Sequence, residues 1–199
     1  MRSLLIAVLA LSCFAELPAC AQPTDPPAPA HLDLIIVRRF AAPRRIVALD
    51  PSLGFSLRRG QPGVPPSRRA ASVARGTSFT MADTIAAQLR QLGYDAVQSD
   101  EAGPEPGGRA LIVSGAFRRI NEGHRRRFAA NDASVAASAE IDYQAHSNPP
   151  QRLLTVRLDS RQILHRAALG NREAGVNSAA TRLGVMIARA VAELARRNN

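Results

Sequence analysis

The segment Ser134–Tyr143, SVAASAEIDY, alternates with a period of two. Val135, Ala137, Ala139, Ile141 and Tyr143 fall on one side, and Ala136, Ser138, Glu140 and Asp142 on the other. Successive strand side chains point to opposite faces, so this is the pattern of a strand with one face buried. Upstream, Ala110–Ile120 is an apolar run that passes into alternation. The polar, Gly- and Arg-containing connection between the two suggests an antiparallel pair. Arg152–Asp159 alternates again, with Leu154, Val156 and Leu158 on one side, which extends the pair to a three-stranded meander.

The remaining apolar periodicities supply covering elements. His31–Phe40 contains the continuous run Leu34-Ile35-Ile36-Val37, expected of a strand covered on both faces. Arg44–Leu49 and Tyr94–Gln98 read as short strands. A helix is expected over Ser78–Leu92, capped by Thr77 or Ser78, with Phe79, Ala82, Ile85, Ala86 and Leu89 on its apolar face. Gly93 suits the left-handed position that ends such a helix. A closing helix over Asn177–Arg197 carries Val176, Ala180, Leu183, Ile187, Val191 and Leu194 at three- and four-residue steps. The expected fold is an α+β (α/β sandwich) domain over residues 32–197. It has a mixed, mostly antiparallel sheet of four to six strands, with two helices packed on one face. Residues 50–76, interrupted by Pro51, Pro62, Pro65 and Pro66, read as a flexible loop, with Leu53, Phe55 and Leu57 able to add an edge strand.

The first 21 residues, MRSLLIAVLALSCFAELPACA, have the form of a secretory signal: Arg2, then the apolar Leu4–Ala15, then a polar region with Glu16 and Pro18. The apolar stretch is too short to span a bilayer. Two processing routes remain open. Ala19-Cys20-Ala21 is an A-x-A site that releases a soluble chain starting at Gln22, whereas Leu17-Pro18-Ala19-Cys20 resembles a lipoprotein box with Cys20 lipidated. Residues 22–31 form a Pro-rich tether. Localisation is thus expected in the periplasm, or at the outer membrane if Cys20 carries lipid. Cys13 lies within the signal, so the mature chain holds no disulfide.

All 26 basic residues are Arg, and the net charge is +10. Removing residues 1–21 takes away Arg2 and Glu16 and leaves that charge unchanged. Arg pairs recur at 38–39, 44–45, 58–59 and 68–69. An arginine surface can take up phosphates or acidic polymers through its planar fork. Export argues against a nucleic-acid partner.

The order of elements, with an I-V-S-G-x-F-x-x-I-N-E-G-x-x-x-R segment at its centre, resembles the bacterial envelope family catalogued as domain of unknown function 4410. The matching residues are Gly115, Phe117, Ile120, Glu122, Gly123 and Arg127. The resemblance spans roughly residues 33–195 and implies export and an α/β domain, with no established activity. Where the family is usually glycine-rich after the Arg, this chain has Phe128-Ala129-Ala130-Asn131-Asp132-Ala133.

Catalytic patterns are not found. His31, His124, His146 and His165 lack ligand spacing with one another or with acids, so neither a metal nor a cofactor is expected. Ser114 sits in V-S-G-A and does not form a nucleophile elbow. Glu122, His124, Arg125, Arg126 and Arg127 cluster in the connection, either as a binding loop in which Glu122 orients an Arg or as a solvated strand-pair end. The reading is a non-catalytic envelope module contacting an envelope protein or an anionic envelope component, with any membrane attachment through Cys20. The alternatives are an exported enzyme with an unrecognised site, in which Ser114, Glu122 and His124 would share a cleft, and a subunit of a larger envelope assembly.

Overall fold

The structure is a computed structural model that describes residues 32–51, 64–99, 108–123, 133–146, 148–162 and 175–197. The signal segment, the tether, Cys20 and the Leu53–Leu57 strand lie outside the described residues.

In chain order the elements are β1 (Leu34–Arg38), a 3-10 turn (Arg44–Ile46), β2 (Val47–Ala48), α1 (Pro66–Gln91), β3 (Ala96–Ser99), β4 (Arg109–Asn121), β5 (Ser134–Ala145), β6 (Gln151–Asp159) and α2 (Val176–Arg197). The six strands form one mixed sheet of order β3-β1-β4-β5-β6, with β2 continuing along the β4 edge beyond β1. The expected meander is present as the antiparallel ladder β4-β5-β6, which contributes most of the paired residues. β1, β2 and β3 join in parallel.

The period-two pattern places the core. Ile35, Val37, Leu111, Val113, Phe117, Ile120, Val135, Ala137, Ala139 and Ile141 all face one side of the sheet and are buried against both helices. α2 meets this face with Ala180, Leu183, Ile187 and Val191, as its spacing requires. The two helices cross closely at Gly184, where a Cβ would lie 3.0 Å from Thr84 and 3.2 Å from the Met81 carbonyl oxygen. Small residues at such a crossing let the two backbones approach.

Several expectations need correction. The helix does not begin near Ser78, and residues 66–76 are not loop, because α1 starts at Pro66 and runs 26 residues. Proline is well suited to the first helical position, where its missing N–H has no partner to lose and its fixed φ is already helical. Ala70, Ala71 and Ala74 then bury a first apolar turn. Thr77 and Ser78 are not caps. Thr77 Oγ1 donates to the Val73 carbonyl at 2.8 Å, and Ser78 Oγ donates to the Phe40 carbonyl at 2.7 Å, which ties the middle of α1 to the chain just after β1. Phe79 does not join the apolar face. It is 53% exposed, and Met81 is fully buried in its place.

The end of α1 matches expectation. Gly93 has φ +89°, its N–H donates to the Arg90 carbonyl, and the Tyr94 N–H donates to the Leu89 carbonyl. This pair of bonds is the Schellman arrangement, which satisfies carbonyls that would otherwise have no acceptor role at a helix end. No helix among the described residues is long and apolar enough to cross a membrane.

Candidate functional site

The connection singled out in the sequence begins with Asn121-Glu122-Gly123 at the end of β4. His124, Arg125, Arg126 and Arg127 lie outside the described residues. Glu122 is only 6% exposed. Its backbone N–H donates to the Ala48 carbonyl, extending the β2–β4 pairing by one bond. Its carboxylate Oε2 accepts the Asp50 N–H at 3.0 Å and stands 3.7 Å from the Arg69 guanidinium. Asn121 Oδ1 accepts the Gly123 N–H at 2.8 Å, and Gly123 has φ +71°, where a side chain is strained. Among the described residues, the Arg that Glu122 faces is Arg69 on α1. The contact binds β4, the segment after β2 and the first turn of α1.

The other described residues of the family-like motif, Gly115, Phe117 and Ile120, serve the same end. Gly115 admits Phe40, whose ring carbons would lie 2.5 and 2.8 Å from a Cβ there. Phe117 stacks on Phe40 with ring centroids 5.9 Å apart and tilted 54°. Ile120 is fully buried. Each of these residues is explained by packing or backbone geometry.

Replacing Glu122 with Ala should therefore destabilise the domain by about 1–3 kcal/mol, because a buried N–H loses its acceptor. Glu122→Gln keeps an acceptor oxygen and should cost under about 1 kcal/mol, the worth of a partly exposed ion pair. Urea unfolding midpoints of the two variants check this. If Glu122→Ala leaves the midpoint where it was, the residue does not act as a structural tie.

Ser114 and Glu122 do not share a site. They are eight residues apart along one strand and its extension, or about 26 Å. No cleft therefore unites Ser114 and Glu122.

A different set of residues converges on the sheet face opposite the helices. Strand register places Ser114 opposite Glu140 and Ala116 opposite Ser138. β1 runs beside β4 with Val37 opposite Val113, so Arg38 follows in line with Ser114. Arg38, Arg39, Ser114, Gly115, Ala116, Ser138 and Glu140 line a depression of about 290 Å³. It arises because small side chains occupy mid-sheet positions while long ones stand around them. The Arg38 Nε is buried and has no hydrogen-bond partner. Glu140 is paired with Arg152 at 2.7 Å, and Arg152 also bonds Asp142.

Further along the face, Arg119 bonds Asp159 at 2.6 Å. Partial desolvation pushes the Asp159 carboxyl up. The Arg161 N–H and then the Arg119 guanidinium more than offset this and hold it below the ordinary carboxylate range. Only half of this surface was visible in the sequence. The polar side of β5 was legible as Ser138, Glu140 and Asp142, but its partners on β1 and β4 depend on non-local register. The Arg pairs also separate: Arg38 and Arg39 line the depression, Arg44 and Arg45 are exposed in the 3-10 turn, and Arg69 holds Glu122. Arg58 and Arg59 lie outside the described residues. Among the described residues no three His, Cys, Asp or Glu side chains gather as a metal site.

The chain is thus an α+β module with two helices on one sheet face and an arginine-lined depression on the other. No family model matches it, and none of the curated proteins does. The resemblance to domain of unknown function 4410 therefore rests on the motif residues alone. Among solved structures the chain is similar to a Xanthomonas campestris protein of the DUF330 family, at 14% identity over 85% of each chain and a TM-score of 0.37. It is similar to the PelC dodecamer of Paraburkholderia phytofirmans at 17% identity, over 82% of this chain and 90% of that one, with a TM-score of 0.35. A Helicobacter pylori homolog of the neuraminyllactose-binding hemagglutinin is similar at 10% identity, over 82% of this chain and 87% of that one, with a TM-score of 0.32. All three likenesses are distant.

Proposed function

We propose that this chain is an exported cell-envelope protein that works as a non-catalytic binding or assembly module. It engages a protein partner or an anionic envelope component through the sheet face opposite its helices. The observation that carries this reading is the chemistry of that face. A face left to solvent alone has no reason to enclose a half-buried arginine in a recess. Here Arg38, Ser114, Ser138 and Glu140 surround one, with exposed Thr155 and Arg157 beside it on β6. The address comes from the signal-like residues 1–21 and the Pro-rich tether that follows. Processing at Ala21 places the module in the periplasm, and lipidation of Cys20 places it at the outer membrane.

Two measurements test the reading. Mass spectrometry of the mature N-terminus should find either Gln22 or a lipid adduct on Cys20, and an uncleaved cytosolic chain would end the export proposal. For the contact face, Thr155→Arg combined with Arg157→Glu alters exposed positions outside the depression. Retention of the purified chain on envelope extracts should fall several-fold in this variant. A parallel variant with Arg125, Arg126 and Arg127 changed to Ser tests the connection. Retention lost only in that variant would move the contact from the sheet face to the connection.

A further inference from the structure

We infer that the depression on the sheet face opposite the helices is a binding site for a phosphate ester that carries a neighbouring hydroxyl group, with Arg38 as its principal donor. The inference rests on the binding reading above and gives it a ligand class.

The first reason is an incomplete hydrogen bond. The Arg38 Nε–H is buried and has no partner, in a recess lined by the same side chain. A buried donor without an acceptor is costly, by about 1–3 kcal/mol. A small shift of the side chain toward an acceptor in the recess would bring the Nε–H to it and relieve that cost. The guanidinium is charged at every physiological pH and presents a planar fork, so it selects an oxyanion.

The second reason is the number of donors. Ser114 lies in line with Arg38, and Ser138 lies one cross-strand row further on the same face. The Arg38 fork and two hydroxyls together offer more donors than the two oxygens of a carboxylate need. They match the three non-bridging oxygens of a phosphate monoester most closely, and a diester headgroup would use fewer of them.

The third reason is the carboxylate at the rim. Glu140 would repel a bare anion if it stood alone, but Arg152, which it shares with Asp142, stands at 2.7 Å and offsets part of its charge. The positive charge that faces a ligand in the recess is then that of Arg38. Glu140 is then placed to accept a hydrogen bond from a hydroxyl next to the phosphate. At about 290 Å³ the recess is at the small end of ligand sites, which suits a headgroup-sized molecule over a polymer segment. The same chemistry exists in free glycerol phosphate and in the headgroup of an anionic glycerophospholipid.

The test uses the full mature chain with glycerol 3-phosphate and inorganic phosphate as probes, followed by NMR. Saturable shifts are expected at Gly115 and Ser138 amides, together with a downfield move of the Arg38 Nε–H resonance. Arg38→Gln should weaken binding at least tenfold. Glu140→Gln should tighten inorganic phosphate a few-fold while narrowing its disadvantage against glycerol 3-phosphate. An unmoved Arg38 Nε–H signal in the unmodified chain overturns the proposal, whether or not the Arg38 variant folds. So do shifts spread evenly over the surface arginines.

Vesicles of phosphatidylglycerol, compared with phosphatidylcholine, separate the sources. Capture that glycerol 3-phosphate reverses assigns the headgroup, and saturable binding without capture assigns the free ester. If probe binding is absent while envelope retention still depends on Thr155 and Arg157, this inference fails and the binding reading stands. The reverse outcome sinks the reading and leaves the site.

Discussion

Phe117→Ala should lower the stability of the mature domain by about 3–5 kcal/mol, the usual cost of removing a buried aromatic side chain. Phe117 is 3% exposed and Phe40 is 2% exposed, and each is the other's ring partner. The surroundings cannot readily collapse into the void. The Phe117 N–H donates to the Ala41 carbonyl and the Ala41 N–H donates to the Gly115 carbonyl, which holds the chain after β1 against β4. The Phe40 carbonyl is held in turn by the Ser78 hydroxyl of α1. A cavity that its walls cannot fill keeps its full penalty. Equilibrium urea unfolding measures the loss. A change below about 1 kcal/mol would mean that the aromatic pair is not the clamp between sheet and helix that its geometry implies.

Gly115→Ala should cost about 3 kcal/mol, at the upper end of overpacking penalties, although it adds a single methyl group. That Cβ would lie 2.2 Å from the Ser138 carbonyl oxygen and 2.5 Å from a Phe40 ring carbon. The first of these is backbone in the adjacent strand of the same ladder, so relief requires β4 and β5 to part locally. The second is the ring that Phe117 already pins. Gly76→Ala is the matched control. Gly76 lies within α1 with nothing inside 4 Å of a built Cβ, so the same chemical change should stabilise by up to about 1 kcal/mol. Thermal denaturation of the pair should show opposite signs. Equal shifts in the same direction would refute the packing account of Gly115.

These residues show what could be read from the chain and what could not. The period-two run through Val135, Ala137, Ala139 and Ile141 is a local property of one strand, and it located the core face before any partner was known. The helical spacing of Leu183, Ile187 and Val191 did the same for α2. The first half of α1 was hidden because Pro65-Pro66 reads as an interruption unless the second proline is recognised as a helix start. Thr77 and Ser78 misled for a related reason. Hydroxyl residues favour helix starts, yet their side chains can also turn back on a helix carbonyl or reach another element, as both do here. Glu122 stood out, but its partners Asp50 and Arg69 come from far along the chain. The depression was the least legible feature of all. Arg38, Ser114 and Ser138 are brought together only by the parallel register of β1 with β4 and the antiparallel register of β4 with β5, and neither leaves a mark on spacing.

The interior position of β1 has a mechanical consequence. β1 is the first element among the described residues and lies between β3 and β4, both parallel to it. Traction entering from the leading end of the chain, as a lipid on Cys20 would transmit, runs along β1 and loads the hydrogen bonds on both its edges at once, in shear. A strand at the margin would instead peel away one bond at a time. The domain should therefore hold against a pull from its front better than against one applied at Arg197, where the trailing helix belongs to no ladder.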